Sequence, residues 1–257
     1  MPGGGFDSSK TRLAPFFDCL RKNDPTGESW LPKLLALPSH GSAVERPTVV
    51  GALQDHGWGE NGRALQAPPS LLSWLVRNLK CPSSIQAERI SAERRGLIEG
   101  DPAIMQEGLS LLGTSPRDRA WYVLEGPSYP DAYLATSDAV IVVDGGRTEA
   151  GPTTSTTWMP TRLQILRHID AALELTGPRA LWGFFMVEAA ADGSVPQVWI
   201  DACAQTLSPD FLERSLPHRP PELRQAIAEA FLGVTTWQRA CEELGVPLSE
   251  LSHEVAG

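Results

Sequence analysis

Residues 129–147 read YPDAYLATSDAVIVVDGGR, and this stretch decides the fold. Two runs, AYLAT and AVIVV, flank a short polar segment at 136–138, which is the pattern of a β-hairpin. The second run lacks polar residues, as is typical of a strand that is covered on both faces. Because the turn reverses the chain, the hairpin is predicted to bring Asp131 and Asp144 side by side at one end of the sheet.

The segments around the hairpin predict further strands and one long helix. Between the hairpin and the strand expected at 179–189, residues 159–177 (MPTRLQILRHIDAALELTG) carry Leu and Ile at helical spacing and end on Gly. A strand, helix, strand succession can form a parallel crossover. We therefore expect an α/β fold with a central mixed β-sheet flanked by helices. Short strands are also predicted at 120–126 (AWYVLEG) and 196–202 (PQVWIDA).

Helices are predicted on both sides of this central region. PPSLLSWLVRNLK (68–80) and DPAIMQEGLSLLG (101–113) have Pro in the first turn and apolar residues at helical spacing. Helical patterns also occupy 85–100 and most of the chain after residue 208. Residues 1–66 mix short apolar pieces with Gly, Pro and Ser. The predicted organisation is an irregular N-terminal layer at 1–66, followed by one α/β domain at 67–257.

Charge and composition limit the functions that the chain can have. The 257 residues carry a formal net charge of -9. Bulk electrostatic coating of nucleic acid needs many Lys and Arg contacts to phosphate, so this charge argues against it and leaves only a local basic groove open. No apolar signal core and no run of about 20 apolar residues is present. We expect a cytoplasmic protein with no membrane association, of undetermined oligomeric state.

The acidic residues of the hairpin resemble those of a known superfamily. Tyr129-Pro130-Asp131, a hairpin and then Asp144-Gly145-Gly146 are similar to the PD-(D/E)xK nuclease motif, and Gln164 and His168 resemble the Gln-x-x-x-Tyr element of its exonuclease-like branch. The resemblance covers residues 120–168. It implies a restriction-endonuclease-like fold, Mg²⁺ (or Mn²⁺) held by Asp131 and Asp144, and cleavage of DNA phosphodiesters.

The chain departs from that motif at the position of the superfamily's lysine, which orients or activates the attacking water. Gly146 stands there, and Arg147 follows it. Neighbouring side chains on a strand point to opposite faces, so Arg147 points away from Asp144 unless a bulge at Gly145-Gly146 re-aims it. In the nuclease hypothesis, Gln164 and, with such a bulge, Arg147 would support the substrate. No lysine follows Lys80 in the chain.

A third metal ligand is left open among several glutamates. In the superfamily, a Glu on the first helix often completes the site. The resemblance therefore makes candidates of Glu88, Glu93 and Glu107, and Glu125 on the strand predicted next to the hairpin is a fourth. Each of them is equally well explained as an ordinary surface carboxylate.

Three hypotheses follow from these residues. The first is a divalent-metal-dependent, nuclease-like protein that acts on DNA, with catalysis impaired by the missing lysine. The second is a catalytically inactive protein of the same fold that serves as a binding or regulatory module. The third is that the resemblance is coincidental, since Asp after Pro and Asp before Gly are also common turn residues.

Overall fold

The computed structural model describes residues 9–39, 50–82 and 89–251. Its centre is a five-stranded sheet in which the strands lie in chain order. The first three strands pair antiparallel, whereas the last two pairs are parallel. The expected α/β fold with a central mixed sheet flanked by helices is therefore confirmed. The strands are β1 (Leu53–Trp58), β2 (Ala132–Thr136), β3 (Ala139–Gly146), β4 (Ala180–Val187) and β5 (Phe231–Thr236).

Helices precede, connect and follow these strands. Before β1 come α1 (Ala14–Asn23) and α2 (Leu31–Ala36), and between β1 and β2 come α3 (Pro69–Asn78), α4 (Ala92–Glu99) and α5 (Pro102–Leu112). The crossover from β3 to β4 is α6 (Gln164–Thr176). The crossover from β4 to β5 contains α7 (Gln197–Thr206), α8 (Pro209–Ser215) and α9 (Pro221–Ala230), and α10 (Trp237–Leu244) follows β5.

The sheet lies between two layers of helices. One face packs against α1, α2 and α10, and the other packs against α6, α7, α8 and α9. The strand β3 shows the alternation directly, because Ile141 and Val143 enter the first core while Val140 and Val142 enter the second. Since both faces are covered, the strand needs apolar residues at successive positions. Helices α3, α4 and α5 form a separate, smaller cluster.

The hairpin of β2 and β3 has the register that the sequence predicts. Its pairs run from Ala132↔Val143 to Ala135↔Val140. At the turn, the Oγ1 of Thr136 accepts hydrogen bonds from the backbone N–H groups of Asp138 (3.1 Å) and Ala139 (2.9 Å). This side chain therefore holds the turn closed and sets which residues face each other across the hairpin.

Two of the predicted strands are wrong. Residues 120–126 form turns, in which the N–H of Val123 donates to the carbonyl of Ala120, so the backbone is satisfied locally. Residues 197–206 form the helix α7. In that helix Trp199, Cys203 and Thr206 are buried, and their spacing of four and three residues is helical. A window that ends at Ala202 shows only the short apolar run Val198-Trp199-Ile200 and misses Cys203 and Thr206, the second half of the helical pattern.

Two strands are absent from the sequence prediction. β1 lies within the region expected to be irregular, and it pairs with β2. β5 begins at Phe231, directly after α9 ends at Ala230. Its apolar residues look like the last turn of that helix, because a short apolar run does not distinguish strand from helix. Within the described ranges, no helix has the length and apolar composition needed to cross a membrane.

Candidate functional site

The open end of the hairpin carries both candidate aspartates. The last paired residues of the hairpin are Ala132 and Val143, so Asp131 and Asp144 are the next residues across from each other. The Oδ2 of Asp131 accepts a hydrogen bond of 2.7 Å from the backbone N–H of Gly145. This bond ties the chain before β2 to the end of β3. We call Asp131, Asp144, Gln164 and His168 the hairpin-end cluster.

Helix α6 supplies the other two members of the hairpin-end cluster. Gln164 is its first residue, and its Nε2 donates to the Oδ1 of Asp144 over 2.9 Å. His168 lies one turn later on the same face, with its Nε2 3.8 Å from that oxygen. Asp144 is 4% exposed, so the amide of Gln164 replaces water as its hydrogen-bond donor.

His168 is buried without a hydrogen bond. The residue is 1% exposed, and neither ring nitrogen has a hydrogen-bond partner among the residues that the structure describes. The distance of 3.8 Å from its Nε2 to Asp144 is too long for a hydrogen bond. Burying an imidazole without a partner has an energetic cost. The hairpin-end cluster thus holds polar groups that the fold does not fully satisfy.

The space beside Gly146 is filled by an indole ring. A Cβ atom added at Gly146 would lie 2.7 Å from Cζ2 of Trp199, which belongs to α7 and packs edge-on against Phe185. On the backbone side, the Nε1 of Trp237 donates to the Gly146 carbonyl over 3.1 Å. There is therefore no space for a side chain at Gly146, because even a methyl group would press on the Trp199 ring.

Arg147 follows the last paired residue of β3. The pairing of β3 with β4 keeps its register as far as Gly146↔Val187, so no bulge interrupts this ladder at Gly145 or Gly146. Arg147 is half-buried, and its backbone N–H donates to the Oε2 of Glu149. From the sequence, a bulge at Gly145-Gly146 could have turned the Arg147 side chain toward Asp144. The pairing of β3 with β4 contains no such bulge.

The four glutamates considered as third ligands do not share one environment. Glu125 is buried and paired with arginines, whereas Glu93 and Glu107 belong to α4 and α5, which pack in the smaller cluster. Glu88 lies outside the described residues. Within the described ranges, no group of three or more His, Cys, Asp or Glu side chains is arranged to hold a metal ion. The described residues at the hairpin end therefore do not fit a complete Mg²⁺ site, which needs several oxygen ligands at one point.

Glu125 belongs to a buried group of charges on the other side of α6. Arg162 is fully buried, and its Nη2 lies 3.0 Å from Glu125 Oε1 and 2.9 Å from Asp170 Oδ2. Arg219 donates to Asp170 over 2.7 Å, and His218 Nε2 lies 3.1 Å from the same carboxylate. We call Glu125, Arg162, Asp170, His218 and Arg219 the buried ion network.

The network lowers the pKa of its central carboxylate, Asp170. Burial alone would raise the pKa of Asp170. The hydrogen bond from His218 and the positive charges of Arg162 and Arg219 outweigh burial and hold this pKa well below its usual range. The sequence analysis missed this network. Its one signal is a charged residue in an apolar stripe, since Asp170 lies four residues after Leu166 and three before Leu173 on the predicted helix.

The comparisons with known proteins add no relative to this description. No protein-family model, no curated protein and no solved structure matches the chain. Its function must therefore be argued from its own residues.

Proposed function

We propose that this chain is a nuclease-like α/β protein whose hairpin end lacks the apparatus for hydrolysis and that it serves as a binding or regulatory module. The resemblance to the PD-(D/E)xK superfamily supports the nuclease-like part, since the acidic hairpin lies in a mixed sheet and Gln164 contacts Asp144. The observation that carries the non-catalytic part is Trp199, whose ring occupies the space beside Gly146.

Loss of the lysine removes a specific chemical role. A water molecule attacking a phosphodiester must be oriented and must give up a proton. Gly146 has no side chain for either task, and arginine is a poor base because it stays protonated. The lysines with described surroundings are all exposed: Lys22 lies on α1, Lys33 on α2 and Lys80 just beyond the end of α3. No described lysine is thus held in the hairpin-end cluster to take over the role.

A metal-dependent nuclease that acts on DNA is the second candidate. It is favoured by the burial of Asp144 against an amide and an imidazole, with no arginine or lysine paired to it in the described part of the chain. A divalent cation would neutralise such a carboxylate, and Asp131 and Asp144 would be its ligands. We rank the metal-dependent nuclease second because the described residues provide no third metal ligand beside Asp131 and Asp144.

A cleavage assay separates the two candidates. The purified chain is incubated with labelled single- and double-stranded DNA in Mg²⁺ and in Mn²⁺, beside the isosteric variant Asp144→Asn. We expect no cleavage above the level of the variant. Metal-dependent cleavage that Asp144→Asn abolishes would overturn the proposal and support the nuclease. Calorimetric titration of both proteins with Mn²⁺ reports whether the carboxylates bind a cation in the absence of chemistry.

A second experiment tests whether the hairpin end fails to cleave DNA because it has no lysine and because Trp199 fills the space that a lysine would need. Trp199→Ala opens the space beside Gly146, and Gly146→Lys combined with Trp199→Ala restores an amine there. Trp199→Ala alone is the matched control, because both variants lack the indole ring and differ only in the lysine. Metal-dependent cleavage by the double variant alone would show that the hairpin end is nuclease-like and that Trp199 replaced the lysine.

A further inference from the structure

A cavity lies beside α6, and its volume of about 530 Å³ is within the range of roughly 300–1,000 Å³ that small-molecule pockets occupy. Its walls are the segment 124–126, the loop residues 155–158 and Arg167 of α6. The loop connects the carboxyl end of β3 to α6, and such loops are common places for ligands in α/β proteins. No residue of the hairpin-end cluster lines this cavity, so a ligand there is independent of the function proposed above.

Arg167 is held in one orientation by its neighbours. Its Nη2 donates to the carbonyls of Gly126 and Pro127, each over 2.9 Å, and its Nε lies 3.3 Å from the Oε1 of Glu125. The side chain is 23% exposed. Its Nη1 has no hydrogen-bond partner in the described part of the chain and is not buried. A fixed guanidinium with an accessible N–H group is a preorganised donor to an anion.

The accessible charge of the cavity is positive. Glu125 is the one acidic residue among the described residues that line it, but this side chain is 2% exposed and its two oxygens accept hydrogen bonds from Arg162. Its negative charge is therefore already paired inside the protein, and Arg167 supplies the charge that a ligand meets. A second guanidinium, that of Arg94, lies 5.3 Å from the ring centre of Trp158, which also lines the cavity. An anion complements this charge distribution.

The loop that forms the other wall carries hydrogen-bond donors. Ser155 and Thr157 are exposed, and each has a hydroxyl group. Thr156 and Met159 close a tight turn, in which the N–H of each donates to the carbonyl of the other. In the described part of the chain, the backbone N–H groups of Ser155, Thr157 and Trp158 have no hydrogen-bond acceptor. Hydroxyls and unpaired N–H groups in one loop suit an anion with several oxygen atoms.

We propose that this cavity binds the phosphate group of a small molecule, with its oxygens toward Arg167, Ser155 and Thr157. A phosphate group has more acceptor oxygens than a carboxylate and can therefore use the donors of both walls. Leu124 and Trp158 provide apolar surface for the rest of a phosphate monoester. Free phosphate and a monoester present the same chemistry to these donors, and the probes below distinguish them.

The test titrates the full chain at constant ionic strength with inorganic phosphate, phenyl phosphate, acetate and phenol, followed by NMR spectra of the backbone amides. We expect saturable shifts at Ser155, Thr157 and Trp158 with at least one of the two phosphates, at an affinity about tenfold or more above those of acetate and phenol. Tighter binding of phenyl phosphate identifies a monoester, whereas equal or tighter binding of inorganic phosphate identifies the free ion. Saturable shifts with neither phosphate, or equal binding of acetate, would overturn the proposal.

An arginine variant locates the binding. Arg167→Gln should weaken binding of the better phosphate by about tenfold, whereas Arg179→Gln should leave it unchanged. Arg179 is the matched control because it also donates to backbone carbonyls, just beyond the other end of α6. Equal weakening in both variants would show that loss of structure, and not loss of a phosphate contact, lowers the affinity, and it would refute this site.

A second variant leaves Arg167 in place. Ser155→Ala combined with Thr157→Val removes two exposed hydroxyls that make no hydrogen bond in the described part of the chain. Binding should weaken by about threefold, and the urea midpoint should not change. If Arg167→Gln does not fold, this double variant decides by itself. Unchanged affinity in the double variant would place the phosphate elsewhere and refute the site.

Discussion

Helix α6 lies between two buried aspartates, Asp170 and Asp144, whose negative charges have very different partners. On one side, Asp170 is completely buried and is neutralised by Arg162 and Arg219, with His218 in contact. On the other side, Asp144 is almost as deeply buried, yet it has one hydrogen bond, from the amide of Gln164, and an imidazole at 3.8 Å. The acids of the buried ion network are paired with arginines, whereas Asp144 has no arginine or lysine partner among the described residues.

The difference shows which cluster the fold itself requires. Removing a charge from water costs several kcal/mol unless partners replace the water, and the network supplies those partners from the segment before α6, from α6 itself and from the loop before α9. It therefore holds the crossover helix in place. In the described part of the chain, Asp144 has only the amide of Gln164 as a hydrogen-bond donor and His168 has no hydrogen bond, and polar groups that packing does not explain are candidates for function. The predictions below test this assignment.

The largest effect is expected for Arg162→Ala. This change leaves Glu125 and Asp170 buried with one cation fewer, and the free energy of unfolding should fall by about 3–5 kcal/mol. Urea denaturation measures the loss. Arg77→Ala on the surface of α3 is the matched control and should stay within about 0.5 kcal/mol of the unaltered protein. A loss below about 1 kcal/mol for Arg162→Ala would show that the network does not hold the fold.

The second-largest effect is expected at low pH, which should weaken the buried ion network. The pKa of Asp170 is lower in the folded chain than in the unfolded chain, so its contribution to stability is fully present above the unfolded value of about 3.9 and is lost as pH falls toward the folded value. We expect the urea midpoint to fall below about pH 4. In Asp170→Asn, which is less stable at pH 7, this part of the acid dependence should be missing. An identical pH profile in both proteins would contradict the assignment.

A moderate effect is expected at Gly146, where the hairpin end meets α7. A methyl group at this position presses on the Trp199 ring, and overpacking of this kind costs about 1–3 kcal/mol. Calorimetric melting compares Gly146→Ala with Gly126→Ala, whose added Cβ would have no atom within 4 Å. Equal melting temperatures for the two variants would mean that Trp199 moves aside freely, and the space for a lysine would then be available.

The smallest effect is expected for Asp144→Asn. Asparagine keeps an acceptor oxygen for Gln164 and removes a charge that has no arginine or lysine partner among the described residues, so stability should change by less than about 1 kcal/mol. Urea denaturation beside Asp170→Asn provides the comparison. If Asp144→Asn cost as much as Asp170→Asn, the hairpin-end cluster would be as structural as the network, and the contrast between them would disappear.

The local elements were predictable where one segment contains its own signal. Asp101 caps α5 and Pro102 begins it, as the sequence indicates. The helix α7 and the strand β5 were not recognised, because Trp199, Cys203 and Phe231 are compatible with more than one secondary structure. Their burial against Phe185 decided the outcome. Tertiary packing overrides weak local propensity in such short segments.

The candidate site also has some features that the sequence shows and others that only the tertiary structure shows. The acidic residues and the glycine in place of the lysine are visible in the chain, and so is the spacing of Gln164 and His168 on one helix face. The indole over Gly146 is not visible, because Trp199 comes from a segment whose type was predicted wrongly. Glu125 was considered as a ligand, and its arginine partners Arg162 and Arg167 remove it from that role.

The sequence by itself determined the hairpin, the crossover helix and the α/β class, because each is encoded in the periodicity of a continuous segment. Only the tertiary structure decided that Trp199 fills the space beside Gly146, that Asp170 is paired with arginines and Asp144 is not, and that a cavity lies between α6 and the segments 124–126 and 155–158. These features join residues far apart in the chain. Their energies come from burial and charge pairing, which a local pattern does not contain.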